Sequence, residues 1–225
     1  MCGRFVMISD LSVIEEAFDV REFSGDVKPS FNIAPGREIA SVIHDTTNRL
    51  IPLKWGLVPP WAKDLAIGNR LINARAETVA EKPSFRAAFK KRRCLILANG
   101  YYEWKKQGTV KIPHYICLKS ERPFGFAGLY ESWTSNDSET LATCTIITTE
   151  PNELLRPLHD RMPAIVPKDR EARWLDPAVT EEEDLLPILK PYADEEMEFR
   201  EVSTLVNSPF NDIPECIGPP SPGLI

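Results

Sequence analysis

Between residues 94 and 148 the chain offers five strand-like runs in close succession, at 94–98, 101–105, 113–118, 124–130 and 141–148. Apolar, aromatic and β-branched residues dominate each run, and turn residues separate them. Lys106-Gln107-Gly108 reads as a hairpin tip. Further strands are predicted at 39–43, 50–56, 71–75, 164–166 and 202–206. Helices are predicted at 9–18, 84–91, 168–175 and 181–189, with a short one starting at 151–155. In the first helix Ser12 and Glu15 have the spacing of a capping box, and Leu11, Ile14 and Phe18 share one side. In the second, Phe85, Ala88 and Phe89 face inward, and the basic end at 90–93 suits the helix dipole. Residues 24–36 are turn-rich, and the chain's 20 prolines fit many ordered irregular loops. No internal repeat or linker divides the chain. The expected fold is α+β, a single domain with a central β-rich, barrel-like mixed sheet flanked by helices. Residues 2–207 form that domain and 208–225 a Pro/Gly-rich tail, loose from Gly218.

Composition sets the class. With 43% hydrophobic residues among 225, the chain can bury a proper core. No apolar run reaches the ~18 residues that a membrane helix needs. No apolar stretch of a secretory signal follows Met1. A soluble, cytoplasmic protein is expected, and nothing signals an oligomer, so a monomer is expected too. The formal net charge of −6 argues against a protein devoted to non-specific nucleic-acid binding. Its distribution weakens that argument. Residues 176–198 hold nine acidic residues against one lysine, a local −8, leaving about +2 for the rest.

The five cysteines are widely spaced, with no C-x-x-C pair. Cys94, Cys117 and Cys144 lie in apolar or β-branched runs and read as packing residues. Cys2 sits at the chain start. If Met1 is removed, Cys2 carries an α-amine with a pKa of about 7.7–8 beside a thiol near 8.5. Thiol and amine could then work as nucleophile and base on a carbonyl. Alternatively, both could add to one aldehyde, the amine as an imine and the thiol closing a thiazolidine. Cys2 could equally be an incidental second residue.

His159 lies in a polar loop beside Asp160 and Arg161, placed to shuttle protons or simply to face water. Glu103 stands among Tyr101, Tyr102 and Trp104. If it faces inward, desolvation raises its pKa toward acid/base use; if outward, it is a solvated strand residue. Asn73 and Arg75 alternate on one strand, so they share a face and could hold a sugar or phosphate oxygen, or each other. No histidine, cysteine or carboxylate spacing suits a metal, and no phosphate loop or cofactor motif occurs.

Seven blocks, in order, carry a resemblance. They are Met-Cys-Gly-Arg-Phe at the start, Asn32-Ile33-Ala34-Pro35-Gly36, Trp55-Gly56-Leu57-Val58-Pro59 and Asn73-Ala74-Arg75-Ala76-Glu77-Thr78. The rest are Arg93-Cys94-Leu95 running to Gly100-Tyr101-Tyr102-Glu103-Trp104, Ala127-Gly128-Leu129-Tyr130, and His159-Asp160-Arg161-Met162-Pro163. The chain resembles the SRAP (SOS-response-associated peptidase) family in its bacterial form. The resemblance implies a sensor of abasic sites in single-stranded DNA. It implies that Cys2, after autoproteolytic removal of Met1, forms a thiazolidine crosslink with the ring-opened sugar. It also implies catalytic roles for Asn73, Glu103 and His159. Arg4, Arg75 and Arg161 would hold phosphates. Trp55, Pro59 and Trp61 would form a wedge or stacking platform. Crosslink reversal and β-elimination are implied side activities. No cofactor, metal or membrane is implied.

Two other classes share features with the chain. Glutamine amidotransferases of the N-terminal-nucleophile type share Cys2-Gly3 but not Arg4-Phe5. A non-covalent DNA binder would leave Cys2 idle.

Overall fold

The computed structural model describes residues 2–25, 28–135 and 138–220. The chain enters through β1 (Phe5–Met7), α1 (Leu11–Phe18), β2 (Val20–Phe23), β3 (Ser30–Ile33), β4 (Glu38–His44) and β5 (Asn48–Trp55). After β6 (Asn73–Arg75) and α2 (Arg86–Lys91) come β7 (Arg93–Ala98), β8 (Gly100–Gln107), β9 (Val110–Leu118), β10 (Phe124–Thr134) and β11 (Thr140–Thr149). Then follow β12 (Met162–Pro163), α3 (Glu171–Leu175), α4 (Glu182–Leu185) and β13 (Met197–Glu201).

The β-dense centre closes on itself. β4 pairs antiparallel with β5 (Val42↔Leu50) and with β7 (Ser41↔Ile96). β7 pairs with β10 (Phe126↔Ile96), and β10 with β11 (Tyr130↔Cys144). A parallel pairing of β11 with β5, at Cys144↔Trp55, completes a mixed five-stranded ring. Closure removes the edges that an open sheet would leave exposed. Leu53, Trp55, Leu95, Phe126 and Ile146 in its core are all at most 1% exposed. Each such side chain contributes about 1.5–3 kcal/mol by leaving water.

A second sheet, in the order β13-β9-β8-β1-β3, leans on the barrel. β7 and β8 are joined through Asn99 alone, so almost continuous chain serves both sheets. Phe5 on β1 meets Trp55 and Phe126 edge-on, at 5.3 and 5.8 Å between ring centres, which locks the second sheet to the barrel. Arg93 holds the helical layer in place. Its guanidinium donates to the carbonyls of Phe89 and Lys90 at the end of α2, and to those of Trp174, Asp176 and Val179 around α3.

The far end of β11 brings distant segments together. Beyond β5, β6 pairs parallel with β11 (Ile146↔Asn73). Beyond β10, β12 pairs with it on the other side (Thr148↔Pro163). Asn73 and the 159–161 loop therefore flank one strand end, while the second sheet delivers the chain start and β8.

Several expectations are corrected. Asp10, not Ser12, caps α1, and it does so without a side-chain bond. The predicted strand at 202–206 is a 3-10 turn, Thr204–Asn207, and the last strand is β13. Residues 202, 205 and 206 are apolar at helical spacing, which favours the turn. The 151–155 segment is a turn rather than a helix. The segment just after Asn207 is tied to the domain. Asp212 accepts bonds from Ser30, Arg37 and the Phe31 and Asn32 amides, and Cys216 is buried. Among the described residues no helix is long and apolar enough to cross a membrane.

Candidate active site

Cys2 lies just ahead of β1 and is fully buried. Asn73 Nδ2 donates to the Cys2 carbonyl at 2.8 Å, which pins the backbone of the chain start to β6. Asn73 Oδ1 is also buried and has no hydrogen-bond partner. Burial, then the charge of Glu103, push the Cys2 thiol well above its ordinary range, so it is protonated at neutral pH.

Glu103 points inward from β8 and is 6% exposed. Desolvation pushes its carboxyl up to about 7, with the charge of Asp160 adding to the rise. A carboxyl poised there can both give and take a proton near neutrality. The solvated reading of Glu103 is thus set aside.

His159 is partly buried, and burial lowers its pKa below the usual value, with Asp160 acting in the other direction. The ring Nδ1 lies 3.0 Å from the Arg161 amide, a contact that orients the ring. Asp160 Oδ1 lies 2.8 Å from the same Nδ1.

Glu103 and His159 line one cleft of about 640 Å³, together with Arg4, Trp104, Lys106, Lys111, Leu158 and Asn207. Lys106 and Lys111 stand directly opposite each other on β8 and β9. Like charges so placed are destabilising unless an anion relieves them. Neither lysine, nor Trp104 or Asn207, was singled out as a site residue from the sequence. The expected tip at 106–108 would have put Lys106 in the turn; the tighter turn at 108–109 is what sets the two lysines opposite each other.

The residues expected to touch DNA divide. Arg75 is exposed, and Trp61 is 58% exposed on a loop tied down by Trp133 Nε1 bonding to the Ala62 carbonyl. Gly56, at φ +127, sits against the Gly68 backbone so tightly that a Cβ would lie 2.9 Å from its carbonyl oxygen. That contact helps shape the loop. Trp55 is a correction. It is 1% exposed, bonds through Nε1 to the Ile72 carbonyl and packs on Phe5, so its ring cannot meet a base. Pro59 is likewise buried. Arg161 grips Glu77 with two bonds and the Thr148 carbonyl with a third, leaving little of it for a phosphate. Arg4 bonds to Asn32 Oδ1 and the Val206 carbonyl, with its guanidinium 5.9 Å from the Trp104 ring centre. It lines the cleft while holding the 204–212 segment.

The fold and this cluster define a class: single-domain α+β proteins in which a closed mixed barrel sets a cysteine from the chain start among an asparagine, a glutamate and a histidine. The family model for SOS response associated peptidase (SRAP) matches residues 1–209, and the chain belongs to that family. It is 50% identical over 221 residues to the abasic site processing protein YoqW of Bacillus subtilis, covering 96% of this chain and 99% of that protein. It is 31% identical to the abasic site processing protein HMCES of Xenopus tropicalis, covering 96% of this chain and 78% of that one. A crystal structure of a Bacteroides thetaiotaomicron protein superposes with a TM-score of 0.88 at 28% identity, covering 97% of this chain and 99% of that one.

Proposed function

We propose that the protein processes abasic sites in single-stranded DNA by forming a covalent thiazolidine through Cys2. The observation that carries this reading is the convergence of Cys2, Asn73, Glu103 and His159 at one end of the barrel, beside a cleft with Arg4, Lys106 and Lys111 on its walls. Relatives named for abasic site processing support the substrate class.

The chemistry follows from the environment of each group. Met1 must leave first, because an acylated nitrogen cannot form an imine. The freed α-amine of Cys2 attacks the aldehyde of the ring-opened sugar, and water departs as the imine forms. The Cys2 sulfur then adds to the imine carbon, and its proton passes to the nitrogen. Glu103, with its pKa near 7, moves protons in both steps. His159, held by the 159–161 loop in the same cleft as Glu103, exchanges a proton with the sugar ring oxygen as the ring opens. Asn73 Oδ1, buried and without a partner, is suited to accept from the new amine.

Reach favours a single-stranded substrate. Cys2 is fully buried, so a sugar must swing out of its stack to meet it, and this costs least in unpaired DNA. The basic cleft and the exposed ring of Trp61 supply phosphate and stacking contacts for such a strand. An imine at C1′ also acidifies the C2′ protons, so slow β-elimination is a side activity of the same site.

The decisive test uses a single-stranded oligonucleotide bearing one abasic site. Wild-type protein is expected to give an adduct that survives heating in detergent, and Cys2→Ala to give none while retaining weak strand binding. An adduct at wild-type yield from Cys2→Ala overturns the proposal.

A further inference from the structure

Tyr101 stands on β8 two residues before Glu103, so the two side chains leave the strand on the same face. Its ring is 1% exposed and packs edge-on against Phe126, at 5.9 Å between centres. Tyr101 pairs with Phe5 across β8 and β1, three residues from Cys2, and belongs with Cys2 to one core cluster. Yet its hydroxyl, fully enclosed, has no hydrogen-bond partner. A phenylalanine would fill the same space without leaving a polar atom unsatisfied. Buried hydroxyls that lack a partner are rare because they forfeit their bonds to water. The neighbouring tyrosines of this sheet obey that rule: Tyr102 donates to the Phe31 carbonyl at 2.7 Å and Tyr115 to the Asn99 carbonyl at 3.1 Å.

We propose that Tyr101 is a further catalytic residue, whose hydroxyl donates a hydrogen bond to the Cys2 sulfur as that sulfur closes on the imine carbon. The inference rests on the thiazolidine reading above. At rest the hydroxyl makes no bond to that sulfur, so the bond forms only as the sulfur moves onto the imine carbon. As the S–H proton leaves for the imine nitrogen and the S–C bond forms, the sulfur passes through an anionic state. A phenol in a site closed to water stabilises that state strongly. Tyr101 keeps its own proton throughout, so the balance is unchanged: aldehyde, amine and thiol give thiazolidine and one water. An interaction absent in the ground state and present in the transition state is what accelerates a step. The unsatisfied hydroxyl at rest is the counterpart of that gain.

Tyr101→Phe removes only the oxygen. Single-turnover reactions of wild type and Tyr101→Phe with the abasic oligonucleotide are sampled with and without a borohydride quench, which captures the imine as a stable amine. Imine formation is expected at the wild-type rate and ring closure about tenfold to a hundredfold slower, so trapped imine accumulates in the variant. The variant's melting temperature is expected to equal or exceed that of wild type. Closure at or above the wild-type rate overturns the inference. So does a lowered melting temperature with both steps slowed equally, which assigns the hydroxyl to packing. If wild type itself yields neither imine nor thiazolidine, the abasic-site reading falls and takes this inference with it.

Discussion

The two faces of β8 are nearly equally buried and chemically opposite. On one face, Tyr102 donates to the Phe31 carbonyl and Trp104 Nε1 to Asn207 Oδ1. On the other, Tyr101 holds an unsatisfied hydroxyl and Glu103 a carboxyl whose pKa is lifted to about 7. The two-residue alternation thus sets Tyr102, whose hydroxyl is structural, beside Tyr101 and Glu103, which face the Cys2 cluster. For the two tyrosines the difference is whether the buried hydroxyl has a hydrogen-bond partner. Where it has, the polar atom specifies the fold. Where it has not, the cost is tolerated at the place where the chemistry happens.

Glu103→Gln tests the face toward Cys2 most severely. The amide keeps the shape but cannot exchange a proton, so crosslinking is expected to slow by about 10²- to 10⁴-fold. Stability should move the other way. The native carboxyl holds its proton up to about pH 7, while the unfolded one, near 4.5, has already released it. Between those values the native state binds more protons, so wild-type stability falls as pH rises and the loss is complete above pH 7. Gln removes this penalty. Denaturant titrations should find Glu103→Gln level with wild type near pH 4 and more stable at pH 8 by about 3 kcal/mol. A variant less stable than wild type at pH 8 would place Glu103 on the structural side of the comparison.

Trp55 and Trp61 extend the comparison to a second pair, separated by burial rather than by strand face. Trp61→Ala is expected to weaken binding of a single strand by about 1–3 kcal/mol, roughly fivefold to a hundredfold, with no change in melting temperature. Fluorescence anisotropy with an undamaged oligonucleotide measures it. A loss of stability without a loss of affinity would put Trp61 with Trp55, in the fold.

The same pair marks the limit of what could be read in advance. Cys2, Asn73, Glu103 and His159 were picked out together by the ordered blocks of the resemblance, because each alone also fits a structural role. Glu103 inside an aromatic strand was already odd. The barrel's strands were legible because they are apolar and β-branched. Its closure was not, because Cys144↔Trp55 joins residues 89 positions apart through backbone groups that leave no side-chain pattern. Trp55 and Pro59 were misassigned for a related reason: a tryptophan beside Gly-Leu-Val looks the same in sequence whether it stacks on a base or fills a barrel. β13 was missed because Met-Glu-Phe-Arg-Glu buries only Met197 fully, and its charges read as part of the acidic stretch. Arg161 was expected to hold a phosphate, and its grip on Glu77 depends on tertiary placement that the sequence does not display.

The smallest effect is the most discriminating for the comparison of faces. Tyr102→Phe removes a hydroxyl from the same strand, one residue away from Tyr101 and equally buried. Here the oxygen is bonded, and its loss also leaves the Phe31 carbonyl without that donor. The variant should therefore lose about 1–2 kcal/mol of stability. For a chain of this size that is a fall of about 2–4 °C in melting temperature for each kcal/mol. Crosslinking should proceed at the wild-type rate, because the hydroxyl points away from Cys2. Tyr101→Phe is expected to do the reverse, costing rate and not stability. If the two variants instead lose stability to the same extent, or slow ring closure to the same extent, burial alone governs β8 and its two faces do not differ in kind.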